Sequence, residues 1–208
     1  MYTIFLLSLV FLSCAEKDIK MQDERYDLRG KVKQLNIYIY LSDTIGDDKK
    51  SKIISLFDKT GTLTQESFYS PDGTPDFNNV YTYSKSKHEG EFKEFKAGEV
   101  RSITIIKYDN KGYLLEYTLT NLKDSKKHRK VFKNNSAGRP IEITTEDGEK
   151  QVLEYDNKGD LIKSTSFVSG IITYQNEGYD KAGNWTKQRA FYNGSSKYVE
   201  ERQIEYYE

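Results

Sequence analysis

The chain alternates between short strand-like segments and tight turns, and glycine marks most of the turns. The segments are rich in Thr, Ile, Tyr and Phe, which suit half-buried strands better than helices. From Gly138 onward the punctuating glycines lie about eleven residues apart, at positions 148, 159, 170, 183 and 194. Subtracting the turn leaves strands of about eight residues, or about 26 Å. Strands joined by tight turns are antiparallel neighbours, so the pattern predicts a continuous meander.

One turn recurs with the pattern aromatic-Asp-x-x-Gly. The Asp side chain can accept hydrogen bonds from backbone N–H groups two residues on, and the glycine takes the left-handed conformation that closes a bulged hairpin loop. The aromatic residue then lies across from an apolar residue two positions after the glycine, as Tyr108 does from Leu114. We therefore predict a structural turn role for Asp27, Gly30, Asp58, Gly61, Asp109, Gly112, Gly138, Asp156, Gly159, Asp180 and Gly183.

A second set of short turns separates the copies of this motif, at 71–73, 147–148, 169–170 and 193–194. Together the two sets divide the chain into a dozen or more strands, which cannot remain one flat sheet. The predicted fold class is therefore all-β: an antiparallel meander of tandem hairpins, twisted and rolled into a curved sheet, two packed layers or an open barrel.

The N-terminal residues form a separate unit. Residues 4–12 are apolar over the length of a signal peptide and are too few to span a bilayer as a helix. They run into Phe11-Leu12-Ser13-Cys14, which resembles a bacterial lipobox, where cleavage before the cysteine is followed by its diacylation. We expect a lipoprotein signal peptide at 1–13, lipidation at Cys14, a flexible tether at 14–25 and a β domain at 26–208. An ordinary signal peptide, with Cys14 an incidental thiol, is the alternative.

Composition narrows the classes of partner. The chain has 208 residues, with 32 basic and 32 acidic side chains, so no overall field favours nucleic acid. Its 17 Tyr and 10 Phe residues are too many for a disordered chain. The expected partners are a membrane, through the acylated cysteine, and a protein or glycan.

Two terminal patterns carry a resemblance to a family. The first is Gly30-Lys31-Val32-Lys33 before an alternating strand, and the second is Gly183-Asn184-Trp185-Thr186-Lys187 followed by Arg202-Gln203-Ile204-Glu205-Tyr206-Tyr207. With the repeated turn, they resemble small Bacteroidota lipoproteins built from YD-like repeats, which are related to the repeats of Rhs-type toxins and teneurins. The resemblance implies an extended β architecture in the cell envelope, at the outer membrane on its periplasmic or outer face. It implies no activity.

The residues that could carry catalysis are few. His88 and His128 are the only histidines, and no Cys/His metal spacing, phosphate-binding loop or nucleophile elbow is present. Each motif Asp is a single carboxylate in its own turn, whereas calcium requires six or more converging oxygens. Glu200 and Glu201 are adjacent on a strand and so face opposite sides. The sequence therefore predicts no enzyme and no cofactor.

The remaining candidates are surfaces. A basic segment at 123–130 could dock an anionic partner, although a solvated hairpin tip is the simpler interpretation. Aromatic residues crowd the C-terminal hairpins and form the predicted binding surface: Trp185, Tyr192, Tyr198, Tyr206 and Tyr207. Our first hypothesis is a non-enzymatic envelope lipoprotein that binds or scaffolds through its sheet surface. The alternatives are a glycan-active hydrolase that uses surface carboxylates and an immunity or accessory protein of a polymorphic toxin.

Overall fold

The structure is a computed structural model that describes residues 28–41, 50–84, 88–168 and 170–208. The predicted signal peptide, the tether, Cys14 and Asp27 lie outside these residues. In the described ranges the chain forms fourteen β-strands, and no helix there is long and apolar enough to cross a membrane.

The strands follow one another at short intervals, as the glycine spacing predicts. They are β1 (Val32–Leu41), β2 (Lys50–Phe57), β3 (Leu63–Tyr69), β4 (Pro75–Ser84), β5 (Glu89–Lys96), β6 (Glu99–Tyr108), β7 (Leu114–Asn121), β8 (Lys127–Asn134), β9 (Pro140–Thr145), β10 (Lys150–Tyr155), β11 (Leu161–Ser166), β12 (Gly170–Tyr179), β13 (Trp185–Tyr192) and β14 (Ser195–Tyr206).

Every strand pairs antiparallel with its sequence neighbours, and β1 also pairs with β14, so the sheet is a closed barrel. The all-β antiparallel meander is confirmed. The sheet rolls into a barrel, as one of the expectations had it, but the barrel is closed rather than open, because the first and last strands meet from Val32 opposite Tyr206 to Leu41 opposite Tyr198. Closure gives hydrogen-bond partners to the two edges that an open sheet would leave exposed.

The five copies of the repeated turn that connect two strands, the 134–138 copy with Asn in place of Asp among them, each lead from an even-numbered strand to the next odd-numbered one, so they lie together at one end of the barrel, here called the motif end. In each, the Asp or Asn side chain accepts two backbone N–H groups. Asp58 accepts from Thr60 at 2.8 Å and from Thr62 at 3.0 Å. The closing glycine has a positive φ, as at Gly61 with 85°.

The inward side chains of β1–β4, here called the packed half, form one buried cluster. It consists of Val32, Leu35, Ile37, Phe57, Leu63 and Tyr81. Leu35 and Leu63 are fully buried. Among them lies the fully buried Glu66, whose carboxylate accepts hydrogen bonds from the Tyr81 hydroxyl and from Ser55 Oγ at 3.4 Å. The carboxylate is therefore buried together with hydrogen-bond donors.

The outward positions of the barrel carry charged side chains in cross-strand ion pairs. Lys163 lies 2.7 Å from Glu154, and Lys187 lies 3.2 Å from Glu201. Glu116 accepts from both Lys107 and Arg129. Paired charges therefore occupy outward positions on several neighbouring strands.

Candidate functional site: the barrel lumen

The inward side chains of β6–β13, here called the hollow half, do not meet one another across the barrel. They surround a cavity of about 480 Å³, with contributions from β5 and β14 at its borders. The wall is mainly aromatic and aliphatic and includes Tyr117, Phe132, Ile143, Leu153 and Trp185. This volume falls within the range of small-molecule sites, about 300–1,000 Å³.

One side of the cavity is polar. On β14, Tyr198, Glu200 and Arg202 alternate with outward residues and so share the inner face. Arg202 Nε lies 3.1 Å from Glu200 Oε1, and the Arg202 guanidinium carbon lies 3.3 Å from the centre of the Trp185 ring. The ion pair and the cation–π contact hold the arginine in place, and the charges of the pair cancel within the lumen.

Two tyrosines next to this pair add hydroxyl groups. Burial is the main reason that the pKa of Tyr198 is raised above its ordinary value, and the neighbouring Tyr174 and Glu200 raise it further. Burial also raises the pKa of Tyr174, against the hydrogen bond from Tyr198. Both phenols therefore stay protonated at neutral pH, and they contribute polarity without charge.

Arg29 lies at the motif end of the barrel and contacts residues that line the cavity. Its backbone N–H donates to Asn184 Oδ1 at 2.7 Å, and its guanidinium donates to the carbonyls of Gly183 and of Lys158, the latter at 2.8 Å. The guanidinium also lies 3.6 Å from the buried carboxylate of Asp160. Asn184 and Asp160 both line the cavity. The contacts of Arg29 therefore attach the segment before β1 to the wall of the cavity.

The structure separates the five aromatic residues that the sequence grouped into one surface. Trp185 and Tyr198 line the lumen, and Tyr206 is half-buried at the motif end. Tyr207 is also half-buried, and its hydroxyl donates to the carbonyl of Phe57 at 2.6 Å. Tyr192 is 40% exposed. The expectation of a single exposed surface is therefore corrected: two of the five residues face the lumen, one packs on the buried cluster, and only Tyr192 is exposed.

The other candidates lie apart from one another. Glu200 faces the cavity while Glu201 pairs with Lys187 outside, as strand alternation requires. In the basic segment Arg129 is engaged by Glu116, and the Lys130 ammonium lies 5.9 Å from the Tyr117 ring centre. His128 Nδ1 lies 3.7 Å from Glu146 Oε1, and both side chains are exposed. Across the described ranges no three His, Cys, Asp or Glu side chains are grouped to hold a metal.

Sequence reasoning missed the residues that matter most to the lumen: Gln188, Arg202, Leu153 and Thr104. The available signal was the pattern Tyr198-x-Glu200-x-Arg202, which puts an aromatic, an acid and a base on one strand face. It also missed Phe167, a fully exposed residue at the tip of the β11–β12 turn.

Comparison with known proteins supports the fold alone. No protein-family model matches the sequence, and no curated protein matches it. The resemblance to YD-repeat lipoproteins therefore stays a prediction. The barrel is similar to a porin-like protein from Bacteroides uniformis ATCC 8492, with a TM-score of 0.53 and 11% sequence identity, over 86% of this chain and 99% of that one. This likeness supports the closed antiparallel β-barrel fold of the chain.

Proposed function

We propose that this protein is a non-enzymatic binding protein of the bacterial cell envelope that holds a small, mainly apolar molecule inside its barrel. The observation that carries the proposal is the cavity of about 480 Å³ with an aromatic and aliphatic wall. A well-formed, mainly apolar pocket with a few converging polar groups is the usual form of a small-molecule site. The lumen, rather than the outer sheet, is the proposed binding surface.

The proposed location combines two supports. Cys14 follows an apolar segment of signal-peptide length, and the barrel is similar to a porin-like protein of a Bacteroides species. Barrels embedded in lipid carry an apolar outward band, with charged substitutions on that face costing about 2–4 kcal/mol at the bilayer midplane. Ion pairs such as Lys163–Glu154 and Arg189–Glu177 on the outer face favour a barrel in water, held at the membrane by an acyl chain.

The test is binding of N-phenyl-1-naphthylamine, an uncharged fluorophore whose emission rises in apolar surroundings, to the purified mature domain. Leu153 lines the cavity, and its neighbour Val152 is 43% exposed on the outer face. Leu153→Trp places an indole in the lumen and is expected to weaken fluorophore binding about tenfold, or about 1.4 kcal/mol.

Val152→Trp is the matched control, because it adds the same indole one residue away on the other face. It is expected to leave binding unchanged. Thermal unfolding of both variants shows whether each is folded. Absence of fluorophore binding to the wild type, or equal binding by a folded Leu153→Trp protein, would refute a lumen site.

A further inference from the structure

The wall of the lumen that faces the Arg202–Glu200 pair contains a hydroxyl without a protein partner. Thr104 on β6 is fully buried and lines the cavity, and its Oγ1 has no hydrogen-bond partner among the described residues. Its cross-strand neighbours on the same face are Phe92 and Leu119, whose side chains offer no hydrogen bond. Burial of an unsatisfied hydroxyl lowers stability, whereas valine would fill the same space without that cost.

Two further buried polar atoms near Thr104 also lack a partner within the described ranges. Ser102 lies two residues earlier on the same strand and the same face, and Asn79 lies on β4. Ser102 Oγ and Asn79 Oδ1 are also without a partner in the described part of the chain, and both residues are more than nine-tenths buried. The polar pair lies on β14, which is six strands from β6 in one direction around the ring and eight in the other, so Thr104 lies on roughly the opposite side of the lumen. Ser102 and Asn79 are not among the residues that line the cavity.

The charged side chains that line the cavity are already engaged by partners. Arg202 lies 3.1 Å from Glu200, and Asp160 accepts the Tyr179 hydroxyl at 3.0 Å and lies 3.6 Å from Arg29. A carboxylate ligand would have to replace Glu200 at Arg202 and leave a buried glutamate without its counter-ion. An uncharged ligand leaves both pairs intact.

We infer that the lumen takes an uncharged, mainly apolar molecule with a hydroxyl or carbonyl group, and that Thr104 forms the hydrogen bond to that group. The inference rests on the proposed lumen site and adds the chemical class of its ligand. The apolar body packs against the side chains of β7–β10, and the polar group lies at β6. Thr104 is thus a specificity-determining residue.

The experiment compares 1-decanol with decanoate as competitors of N-phenyl-1-naphthylamine at pH 8, where decanoate is ionised. Decanol is expected to displace the fluorophore from the wild type at a lower concentration than decanoate. Thr104→Val is expected to weaken decanol about fivefold, the loss of one hydrogen bond. Thr104→Ser, which keeps the hydroxyl, is expected to restore most of the affinity.

A second readout separates recognition from structural support. Because Thr104→Val removes an unsatisfied buried hydroxyl at nearly constant shape, the unliganded variant is expected to unfold at a higher temperature than the wild type. The matched control is Thr118→Val on β7, since Thr118 faces outward opposite Ile105 and Arg129. It is expected to leave decanol binding unchanged.

The inferred ligand class would be overturned if decanoate bound as tightly as decanol, or if Thr104→Val bound decanol as tightly as the wild type does. In either case, binding of the fluorophore would still support the lumen site. If neither the fluorophore nor either competitor binds to the wild type, the lumen site and the ligand class fail together.

Discussion

The two halves of the barrel are built from the same hairpins but have different interiors. In the packed half, β1–β4 place Leu35, Leu63 and Tyr81 in one buried cluster. In the hollow half, β6–β13 place their inward side chains around a cavity of about 480 Å³. The turn motif is common to both halves, so it determines where strands reverse but not whether the lumen is filled. The volumes of the inward residues decide that.

The hollow half is supported at its motif end instead of through its centre. The Tyr113 ring occupies the space that a Cβ atom at Gly138 would need. The Arg139 guanidinium occupies the corresponding space at Gly159. In both cases the residue after one motif glycine covers the glycine of the next motif turn. At Gly61, in the packed half, nothing lies within 4 Å of that position. Interlocked turns therefore supply contacts that the hollow lumen lacks.

The largest expected difference between the halves comes from removing a leucine side chain from each. Leu35→Ala opens a void in a close-packed cluster and is expected to cost about 3 kcal/mol of unfolding free energy. Leu119→Ala removes a half-buried side chain that borders an existing cavity and is expected to cost about 1 kcal/mol. Urea unfolding followed by circular dichroism measures both values.

Equal costs at the two positions would contradict the division into packed and hollow halves. Both variants make the same Leu→Ala change on a strand of the same barrel. Strand propensity therefore cannot account for a difference between their unfolding free energies.

The second prediction concerns the interlocked turns. Gly138 and Gly61 occupy the same motif position, and both have φ of 85°. Gly61→Ala incurs only the cost of a left-handed non-glycine residue, about 1 kcal/mol. Gly138→Ala has the same cost and must also displace the Tyr113 ring, so about 2 kcal/mol is expected in total.

The double variant Gly138→Ala with Tyr113→Ala tests the cause. In the Tyr113→Ala background, Gly138→Ala should lower the unfolding free energy only as much as Gly61→Ala does in the wild type. A double-mutant cycle on urea unfolding measures this difference. If Gly138→Ala costs no more than Gly61→Ala in the wild-type background, the turns do not interlock energetically.

The strand spacing and the turns were predictable because they depend on local patterns. The Asp58 side chain and the Gly61 backbone act within five residues, and the sequence shows both directly. Closure was not predictable, since the pairing of Val32 with Tyr206 joins residues at opposite ends of the described chain. That pairing depends on the accumulated twist and register of all the strands between them.

The lumen was hidden for a related reason. Bulges such as the one between Ala190 and Phe191 shift the inward and outward alternation partway along a strand. A sequence rich in aromatic residues on both faces therefore does not reveal which face is internal. Trp185 and Tyr198 could be assigned to the lumen only once the register was known, and the pairing of Arg202 with Glu200 followed from that assignment.

The smallest expected effect concerns Tyr206, which lies where the two halves meet. Its ring packs against the packed-half cluster, and its hydroxyl donates to Asp180 and accepts from Asn184 in the β12–β13 turn. Burial, with the nearby Asp180 carboxylate, raises the pKa of Tyr206 to about 12. Tyr206→Phe removes these hydrogen bonds and is expected to cost about 1 kcal/mol at pH 8, allowing for the partial exposure of the ring.

The pH dependence distinguishes the hydroxyl from the ring. An unfolded tyrosine ionises near pH 10, whereas folded Tyr206 keeps its proton to about pH 12. Between these values the unfolded state binds fewer protons than the folded state, so the contribution of Tyr206 is complete below pH 10 and falls as pH rises towards 12. Urea unfolding between pH 8 and 11.5 should therefore show the difference between wild type and Tyr206→Phe shrinking above pH 10. A difference near zero at every pH would mean that Tyr206 joins the two halves through packing of its ring alone, whereas a constant non-zero difference would contradict the raised pKa of its hydroxyl.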